Sequence, residues 1–211
     1  MSRRSDDIFG RIAGRYDLIN RVLSAGRDQA WRRTAVAHLP MGRLLDLGSG
    51  TGAAAPIFGT REVVALDPVR EMLARSPHRA RVVAVGEKLP FSDRSFDAVF
   101  SAYVIRNLTS IEDTLAEVHR VLRPGGVAAF VDLGRPRNRV LSWVHRLGTA
   151  LTLPLAGLLA RAPADYWYLH RSLDKLPPPE ELYAGAKLRL GPIWRMGIFG
   201  FVHGVALYRD D

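Results

Sequence analysis

Short apolar runs alternate with amphipathic segments through the middle of the chain. The pattern predicts strands at Arg43–Leu47, Glu62–Leu66, Arg81–Val85, Phe96–Ala102 and Val127–Leu133, with helices at Pro68–Arg75 and Ser110–Leu122. Strands that alternate with helices in this way indicate an α/β fold, in which helices cover both faces of a parallel sheet.

The flanking segments predict helices before this sheet and a hairpin after it. Apolar residues recur at helical spacing over Asp6–Ser24, and a second helix is expected over Asp28–His38. Near the other end, two β-rich runs, Leu188–Met196 and Phe201–Tyr208, are separated by a glycine-bounded segment. We expect them to form an antiparallel hairpin that closes the sheet.

A turn of alternating glycines follows the first predicted strand, and an acidic residue stands near the end of that strand. The acid is Asp46, and the turn consists of Gly48, Ser49, Gly50, Thr51 and Gly52. Glycines remove the Cβ atom where the backbone passes close to a ligand, and they permit φ > 0 in a tight turn. This arrangement is typical of a site for a nucleoside cofactor.

A second acid follows the next predicted strand. Asp67, with Pro68 directly after it, comes about twenty residues after Gly48. In dinucleotide-binding folds an acid at this place accepts hydrogen bonds from the ribose hydroxyls. On these two features alone, a nicotinamide-dependent oxidoreductase remains open.

Two further motifs separate the cofactor classes. Leu89–Phe91 leads into Ser95–Val99, and Leu122–Gly126 reads Leu-Arg-Pro-Gly-Gly. Dehydrogenases have no use for these segments. With the glycine turn and Asp67, they resemble in order the motifs of class I S-adenosylmethionine-dependent methyltransferases. The resemblance implies a Rossmann-like fold, whose mostly parallel seven-stranded sheet has helices on both faces and a C-terminal antiparallel hairpin.

The same resemblance implies S-adenosyl-L-methionine as the cofactor and suggests which residues bind it. The glycine turn would surround the methionine and the sugar, the second acid would accept from the ribose, and the segment after the third strand would lie against the adenine. The end of the fourth strand faces the methyl group. The positions implied are Asp46, Gly48, Ser49, Gly50, Thr51, Gly52, Asp67, Pro68, Val85, Gly86, Glu87, Ser101 and Ala102.

Two features depart from the pattern of the resembled family. Relatives usually place Asp or Asn where Val85 stands, so the adenine amino group would depend on backbone carbonyls, and Glu87 is expected to brace the loop. The helix after the glycine turn has only Ala53–Gly59 available and must be short.

The flanks resemble a narrower family. Phe9–Asn20 and Trp31–Arg33 before the sheet, Ile105–Thr109 after the fourth strand, and the ending Gly204–Arg209 resemble the quinone C-methyltransferases, which methylate demethylmenaquinone and the ubiquinone precursor. The resemblance implies carbon methylation of a polyprenyl hydroquinone.

Three residues are candidates for the chemistry of that reaction. A hydroquinone becomes a carbon nucleophile when a ring hydroxyl is deprotonated, so an oxyanion must be stabilised. We expect the permanently charged Arg106 to do this, with Asn107 as an additional donor. Tyr16 matches the family's amino-terminal tyrosine and is the candidate proton acceptor. A plain salt bridge for Arg106 and a packing role for Tyr16 are the alternatives. No metal is needed for methyl transfer from a sulfonium.

The chain has 211 residues and contains no cysteine. This length fits one domain. We divide it into an N-terminal helical lid (1–40), a cofactor-binding core (41–133), a helical insertion (138–175), and a C-terminal helix with a hairpin (178–211). Disulfides, thiolate nucleophiles and cysteine-ligated metals are excluded, which suits a cytoplasmic protein.

The formal net charge of +9 favours a polyanionic neighbour, although an arginine-rich composition explains it equally well. Basic residues are spread along the chain, so no nucleic-acid partner is expected. The apolar stretch 140–160 has fourteen uncharged residues between Arg146 and Arg161 and is interrupted by Pro154. A bilayer span needs about twenty. We expect this stretch to shelter a lipid tail at an anionic membrane surface, or to pack on the sheet or on a second subunit in a homodimer.

Two other functions remain open at this point. An N-methyltransferase acting on a phospholipid headgroup or a small amine would need the same cofactor but no partner for an oxyanion. An RNA-binding methyltransferase or a nucleic-acid-binding module would agree with the sequence pI of about 10.6.

Overall fold

Seven strands form one sheet in the computed structural model, which describes residues 24, 26–134, 138–159, 176–197 and 200–211. In chain order they are β1 (Arg43–Leu47), β2 (Glu62–Asp67), β3 (Ala80–Val83), β4 (Phe96–Ala102), β5 (Leu122–Leu133), β6 (Arg189–Met196) and β7 (Val202–Tyr208). Their order across the sheet is β3-β2-β1-β4-β5-β7-β6. β1 to β5 pair in parallel, and β7 runs antiparallel to β5 and β6. The predicted fold class is confirmed.

The described part of the chain contains five α-helices, α1 (Asp28–Val36), α2 (Arg70–Leu73), α3 (Ile111–Val121), α4 (Arg139–Leu159) and α5 (Pro179–Leu182). Two 3-10 turns, Ala55–Ile57 and Ile105–Asn107, follow β1 and β4. The start of α3 is fixed by Ser110, whose Oγ accepts a hydrogen bond of 3.1 Å from the backbone N–H of Asp113. A side-chain acceptor of this kind satisfies one of the free N–H groups at a helix start.

Successive side chains of the central strands point to opposite faces of the sheet. Leu45 of β1 lies in a buried cluster with Leu115 and Val118 of α3. Leu44, one residue earlier, lies in a second cluster with Trp31 of α1. Because both faces are covered, the strands can be apolar throughout, which is why they appear in the sequence as continuous apolar runs.

The carboxyl ends of β1, β2 and β4 meet at one edge of the sheet. Asp46 of β1 pairs with Ala65 of β2 on one side and with Phe100 of β4 on the other. Ligands of open α/β sheets bind outside this edge. The parallel register therefore brings together the loops that follow these three strands.

The sequence predicts a short helix over Ala53–Gly59, after the glycine turn. The structure instead has a 3-10 turn at Ala55–Ile57. Pro56 lies in its first positions, and Gly59 has a φ of +64°. Glycine in this left-handed conformation commonly ends helical structure. The segment Ala53–Gly59 has seven residues and contains both constraints, which leaves too few residues for an α-helix to propagate.

Two strand boundaries differ from the prediction by two residues or more. β3 ends at Val83 rather than Val85, because its only neighbour in the described sheet is β2, and the last residue of β2, Asp67, pairs with Val83. β5 begins at Leu122 rather than Val127. Leu122 pairs with Phe96 before a register shift in the β4–β5 ladder.

The apolar segment after β5 forms the long helix α4. The expectation that Pro154 interrupts it was wrong, since the helix continues to Leu159. A proline removes one backbone donor, and a long helix with many other hydrogen bonds can continue past it. Among the described helices, none has both the length and the apolarity to cross a membrane. The predicted helix over Asp6–Ser24 lies almost wholly outside the described residues.

Candidate active site

The glycine turn is held against β2 by its own backbone. The N–H groups of Gly48 and Ser49 both donate to the carbonyl oxygen of Leu66, at 2.7 and 3.0 Å. Gly48 has a φ of +71°, and a Cβ atom built on it would collide with the side chain of Val104. Glycine at this position therefore lets Val104 of the loop after β4 pack directly against the turn.

Asp67 joins this turn to the start of α2. Its Oδ2 accepts from the backbone N–H of Gly50 at 2.9 Å, and its Oδ1 accepts from that of Val69 at the same distance. The residue is 7% exposed. Asp67 also lines a cleft beside the glycine turn, and a carboxylate oxygen can accept more than one hydrogen bond.

A cleft opens between the glycine turn, α1 and the loop after β4. Seven residues predicted for the site line it: Gly48, Ser49, Gly50, Thr51, Asp67, Ala102 and Asn107. Five further residues line it that were not predicted for the site: Arg32, Ala53, Met72, Tyr103 and Val104. The predicted cofactor residues Asp46, Gly52, Pro68, Val85, Gly86, Glu87 and Ser101 do not belong to this lining.

Asp46 is buried close to the cleft. Desolvation raises the pKa of its carboxyl group to about 7, although Ser49 and the positive charge of Arg32 act in the opposite direction. Its Oδ2 has no hydrogen-bond partner among the described residues, and the nearest cation-forming group is Nε2 of His78 at 3.9 Å. Burial lowers the pKa of His78, which favours its neutral form. The carboxyl is therefore poised to gain or lose a proton near neutral pH.

Two predicted cofactor residues, Ser101 and Gly52, have other partners in the structure. Ser101 is buried, and its Oγ donates to the carbonyl oxygen of Leu47 at 2.9 Å, which ties β4 to β1. Gly52 packs against Ser76 and Pro77, with which a Cβ atom would collide. These residues support the site from behind.

Glu87 braces the loop before α3. Its Oε1 accepts from the backbone N–H groups of Thr109 at 2.7 Å and Ser110 at 3.4 Å. These hydrogen bonds lower the pKa of its carboxyl group, against the opposing effect of desolvation, which is the largest single influence. Val85 is 37% exposed, and contact of Val85 and Gly86 with an adenine stays a prediction.

The 3-10 turn after β4 carries Arg106 and Asn107. Arg106 Nη1 donates to Oδ1 of the fully buried Asp132 at 3.0 Å, so the alternative of a salt bridge describes its state in this structure. Asn107 Nδ2 donates to the carbonyl oxygen of Tyr103 at 3.4 Å. Only Asn107 of this pair belongs to the lining of the cleft. Tyr16 lies outside the described residues, and its role stays a prediction.

The sequence did contain a signal for Arg32. The buried positions of α1 are Asp28, Trp31, Arg32, Ala35 and Val36. They follow the spacing i, i+3, i+4, i+7, i+8 of one helix face. An arginine in the middle of a buried face is unusual and points to a charged partner. Tyr103 and Val104 gave no such signal, because only the backbone path after β4 places them in the cleft.

Known proteins have sequences similar to that of this chain. Residues 1–187 match the ubiE/COQ5 methyltransferase family. The ubiquinone/menaquinone biosynthesis C-methyltransferase UbiE of Geobacter sulfurreducens is 36% identical, over 86% of this chain and 78% of its own. The demethylmenaquinone methyltransferase of Deinococcus radiodurans is 39% identical, over 83% and 80%.

A solved structure supports the fold. The crystal structure of a SAM-dependent methyltransferase from Aquifex aeolicus superimposes with a TM-score of 0.57 at 20% identity, over 92% of this chain and 97% of that one. At this identity the likeness concerns the fold alone. The match to the family and the identity to its relatives extend over most of the chain, and the chain therefore belongs to the ubiE/COQ5 methyltransferase family.

Proposed function

We propose that this methyltransferase transfers a methyl group from S-adenosylmethionine to a ring carbon of a polyprenyl hydroquinone, such as demethylmenaquinol or the ubiquinone precursor. The activities after which the similar proteins are named favour this acceptor. The structural observation that carries the proposal is the position of Arg106 and Asn107, on a turn that adjoins a glycine-lined cleft.

The residues of the cleft fit the proposed cofactor. Gly48 packs against Val104 in the wall of the cleft, and the carboxylate of Asp67 belongs to the same lining. Two buried polar atoms, Arg32 Nε and Asp46 Oδ2, have no hydrogen-bond partner among the described residues. A ligand with sugar hydroxyls and both charges of an amino acid matches these groups. When bound, S-adenosylmethionine supplies a methyl group made electrophilic by its sulfonium.

The chain's own residues would stabilise the charge on the acceptor. A guanidinium has five N–H donors, and in this structure one nitrogen of Arg106 is engaged by Asp132. The remaining donors can face a ring oxyanion, with the Asn107 amide beside them. Asp132 holds the guanidinium in place beside the turn that carries Arg106 and Asn107. Tyr16, the expected proton acceptor, belongs to this proposal as well.

The alternative acceptors make different demands on Arg106. An amine acceptor develops no oxyanion, so an N-methyltransferase would tolerate loss of the guanidinium. An RNA substrate would need a clustered basic surface, and the basic residues are spread along the chain. The ion pair of Arg106 with Asp132 beside the cleft therefore favours a hydroquinone as the methyl acceptor.

Incubation with methyl-labelled S-adenosylmethionine tests the acceptor. Demethylmenaquinol in detergent should gain the label, whereas phosphatidylethanolamine and RNA should not. Arg106→Lys should retain binding of S-adenosylhomocysteine and lose most of the transfer to demethylmenaquinol, because a lysine cannot reproduce the paired donors. Cofactor binding together with labelling of the amine would replace the hydroquinone by an amine acceptor.

Helix α4 supports a further part of the proposal, contact with an anionic membrane surface where such a substrate resides. Val140, Trp143, Val144 and Leu147 are 70%, 61%, 41% and 47% exposed, and they share one helix face with the spacing i, i+3, i+4, i+7. Exposed Arg146 adds positive charge beside them. An apolar face flanked by arginine is typical of helices that lie in a membrane interface.

Vesicle sedimentation tests this contact. We expect binding to phosphatidylcholine vesicles that contain phosphatidylglycerol, and weaker binding to phosphatidylcholine alone. Trp143→Ser should reduce binding several-fold. Met41→Ser removes an apolar side chain that is equally exposed, at 59%, on another part of the molecule and should have no effect. Equal binding of the two variants would reject α4 as the contact.

A further inference from the structure

Arg32 is a buried cation in the wall of the candidate cofactor cleft. Its side chain is 8% exposed, and it lines the cleft together with the glycine turn. Its guanidinium lies over the ring of Tyr103, with 5.0 Å between the guanidinium carbon and the ring centroid. Tyr103 has a φ of +65°, a left-handed conformation that is rare for an aromatic residue. Such backbone strain clusters at functional sites.

The partners of Arg32 among the described residues leave one of its donors, Nε, without a hydrogen bond. Its Nε is buried and has no hydrogen-bond partner in the described part of the chain. Asp28 Oδ2 lies 3.8 Å from this nitrogen, which is too far for a hydrogen bond. The Asp28 carboxylate instead accepts from Ser24 Oγ at 3.3 Å and, more weakly, from Gln29 Nε2 at 3.5 Å. A buried guanidinium with an unused donor is costly unless an anion binds it.

The ligand proposed for this cleft carries one anionic group. S-adenosylmethionine has a sulfonium, an α-ammonium and an α-carboxylate, and it has no phosphate. Arg32 also lies close enough to Asp46 to lower the pKa of that carboxyl group. A cation and an acid side by side can receive the two opposite charges of an amino acid.

We propose that Arg32 binds the α-carboxylate of S-adenosylmethionine, an inference that rests on the proposed function and extends it to one group of the cofactor. Arg32 reaches the cleft from α1, and the neighbouring Gln29 Nε2 donates to the carbonyl oxygen of Ala53 at 2.8 Å. This hydrogen bond fixes α1 against the segment that follows the glycine turn. Cofactor binding should therefore also stabilise α1.

Calorimetry with two ligands tests the proposal. The first is S-adenosylhomocysteine, and the second is its decarboxylated analogue, which lacks the carboxylate and keeps the other groups. Arg32→Met keeps an apolar stem over Tyr103 and removes the charge. It should weaken binding of S-adenosylhomocysteine about ten- to hundredfold, as expected for a charge-assisted hydrogen bond. It should weaken binding of the analogue by less than about threefold, since the interaction is then already absent.

Two variants complete the experiment. Arg33→Met removes a neighbouring but exposed arginine of α1, and it should leave both affinities unchanged. Arg32→Lys keeps the positive charge, so it should retain a preference for the ligand with the carboxylate. It also preserves the test if the methionine variant does not fold, which thermal unfolding of each protein without ligand will show.

Each outcome of this experiment either supports or overturns the proposed contact of Arg32 with the carboxylate. A loss for S-adenosylhomocysteine alone supports the contact with the carboxylate. Equal losses for both ligands, or no loss, overturn it, because Arg32 then acts only through the helix or not at all. If the unaltered protein binds neither ligand, the proposed function itself fails. Binding of both ligands by the unaltered protein with equal affinity rejects only the role of Arg32.

Discussion

Arg106 Nη1 lies 3.0 Å from Asp132 Oδ1, and the two side chains are 6% and 0% exposed. The other oxygen of Asp132 accepts from the backbone N–H of Ile105 at 2.8 Å. One buried carboxylate thus holds both the start of the 3-10 turn and the guanidinium that the turn carries. The ion pair is part of the fold, and the same contact orients Arg106 for the proposed chemistry.

Variants of the ion pair between Arg106 and Asp132 separate its role in stability from its role in the proposed chemistry. Arg106→Met leaves the charge of Asp132 buried without a counter-ion, so the free energy of unfolding should fall by about 3 kcal/mol or more. The double variant Arg106→Met with Asp132→Asn has no uncompensated charge and should recover part of that stability; the recovery is incomplete because an amide can accept from only one of the backbone N–H groups of Ile105 and Leu133. It should not recover methyl transfer, because no cation faces the oxyanion. Urea unfolding and turnover of labelled cofactor measure the two effects.

The double variant can also contradict the proposed oxyanion role of Arg106. If it regains turnover together with stability, Arg106 is only a structural residue and the oxyanion role is wrong. Asp113→Asn, a change in an exposed acid of α3, should leave both quantities unchanged.

Asp46 predicts a stability that falls as the pH rises. Its folded-state pKa of about 7 lies above the ordinary value of 3.8. Between these pH values the native protein holds a proton that the unfolded chain has released. The free energy of unfolding should therefore decrease from pH 4 to pH 7, by up to roughly 4 kcal/mol from this group. Asp46→Asn cannot titrate, so its stability relative to the unaltered protein should improve over this range.

His78 must be included in the same measurement. Burial lowers its pKa, so the unfolded chain holds more protons just below the ordinary value and stability from this residue increases with pH. This contribution has the opposite sign and is present in both proteins. Urea unfolding at pH 4.5, 6 and 7.5 gives the difference. A difference that does not change with pH would contradict the raised pKa of Asp46.

Asp67 predicts a linked loss of binding and stability. Its two oxygens each accept one backbone N–H. Asp67→Asn replaces one of these acceptors by an NH₂ group that faces another donor, so the free energy of unfolding should fall by about 1–3 kcal/mol. Affinity for S-adenosylhomocysteine should fall at least tenfold, because the turn and the proposed ribose acceptor are both altered. Unchanged affinity measured by calorimetry would exclude Asp67 from the cofactor site.

The fold was predictable because its signals are local. β1 and β4 have the predicted boundaries, since each is a buried apolar run between turn-forming residues. The path of the chain after the glycine turn was harder to predict from the sequence. Whether the short segment Ala53–Gly59 becomes a helix or a 3-10 turn depends on how Pro56 and Gly59 are accommodated, which a periodicity argument does not resolve.

The site was predictable where a residue type and its strand position together specify a role. Asp67 and Gly48 are examples, because an acid or a glycine at the end of a buried strand has few alternative roles in an α/β fold. Ser101 and Glu87 differ, since their hydrogen bonds go to distant backbone groups that only the folded sheet brings near. Arg32 belongs to a helix that precedes the sheet, and its contribution to the cleft follows from packing between elements.

Gly48 predicts a loss of binding that can be separated from backbone strain. Gly48 and Gly59 both have left-handed φ angles, +71° and +64°. A Cβ atom at Gly59 would meet nothing within 4 Å, whereas one at Gly48 would collide with Val104, which packs against it in the cleft wall. Gly59→Ala should therefore lower stability by about 1 kcal/mol through strain alone and leave cofactor affinity unchanged. Gly48→Ala should add loss of S-adenosylhomocysteine binding of more than tenfold, since the cleft wall must shift. Thermal unfolding and calorimetry on the two variants measure this contrast, and equal affinities would mean that Val104 moves aside and that the cleft is not limited at this point.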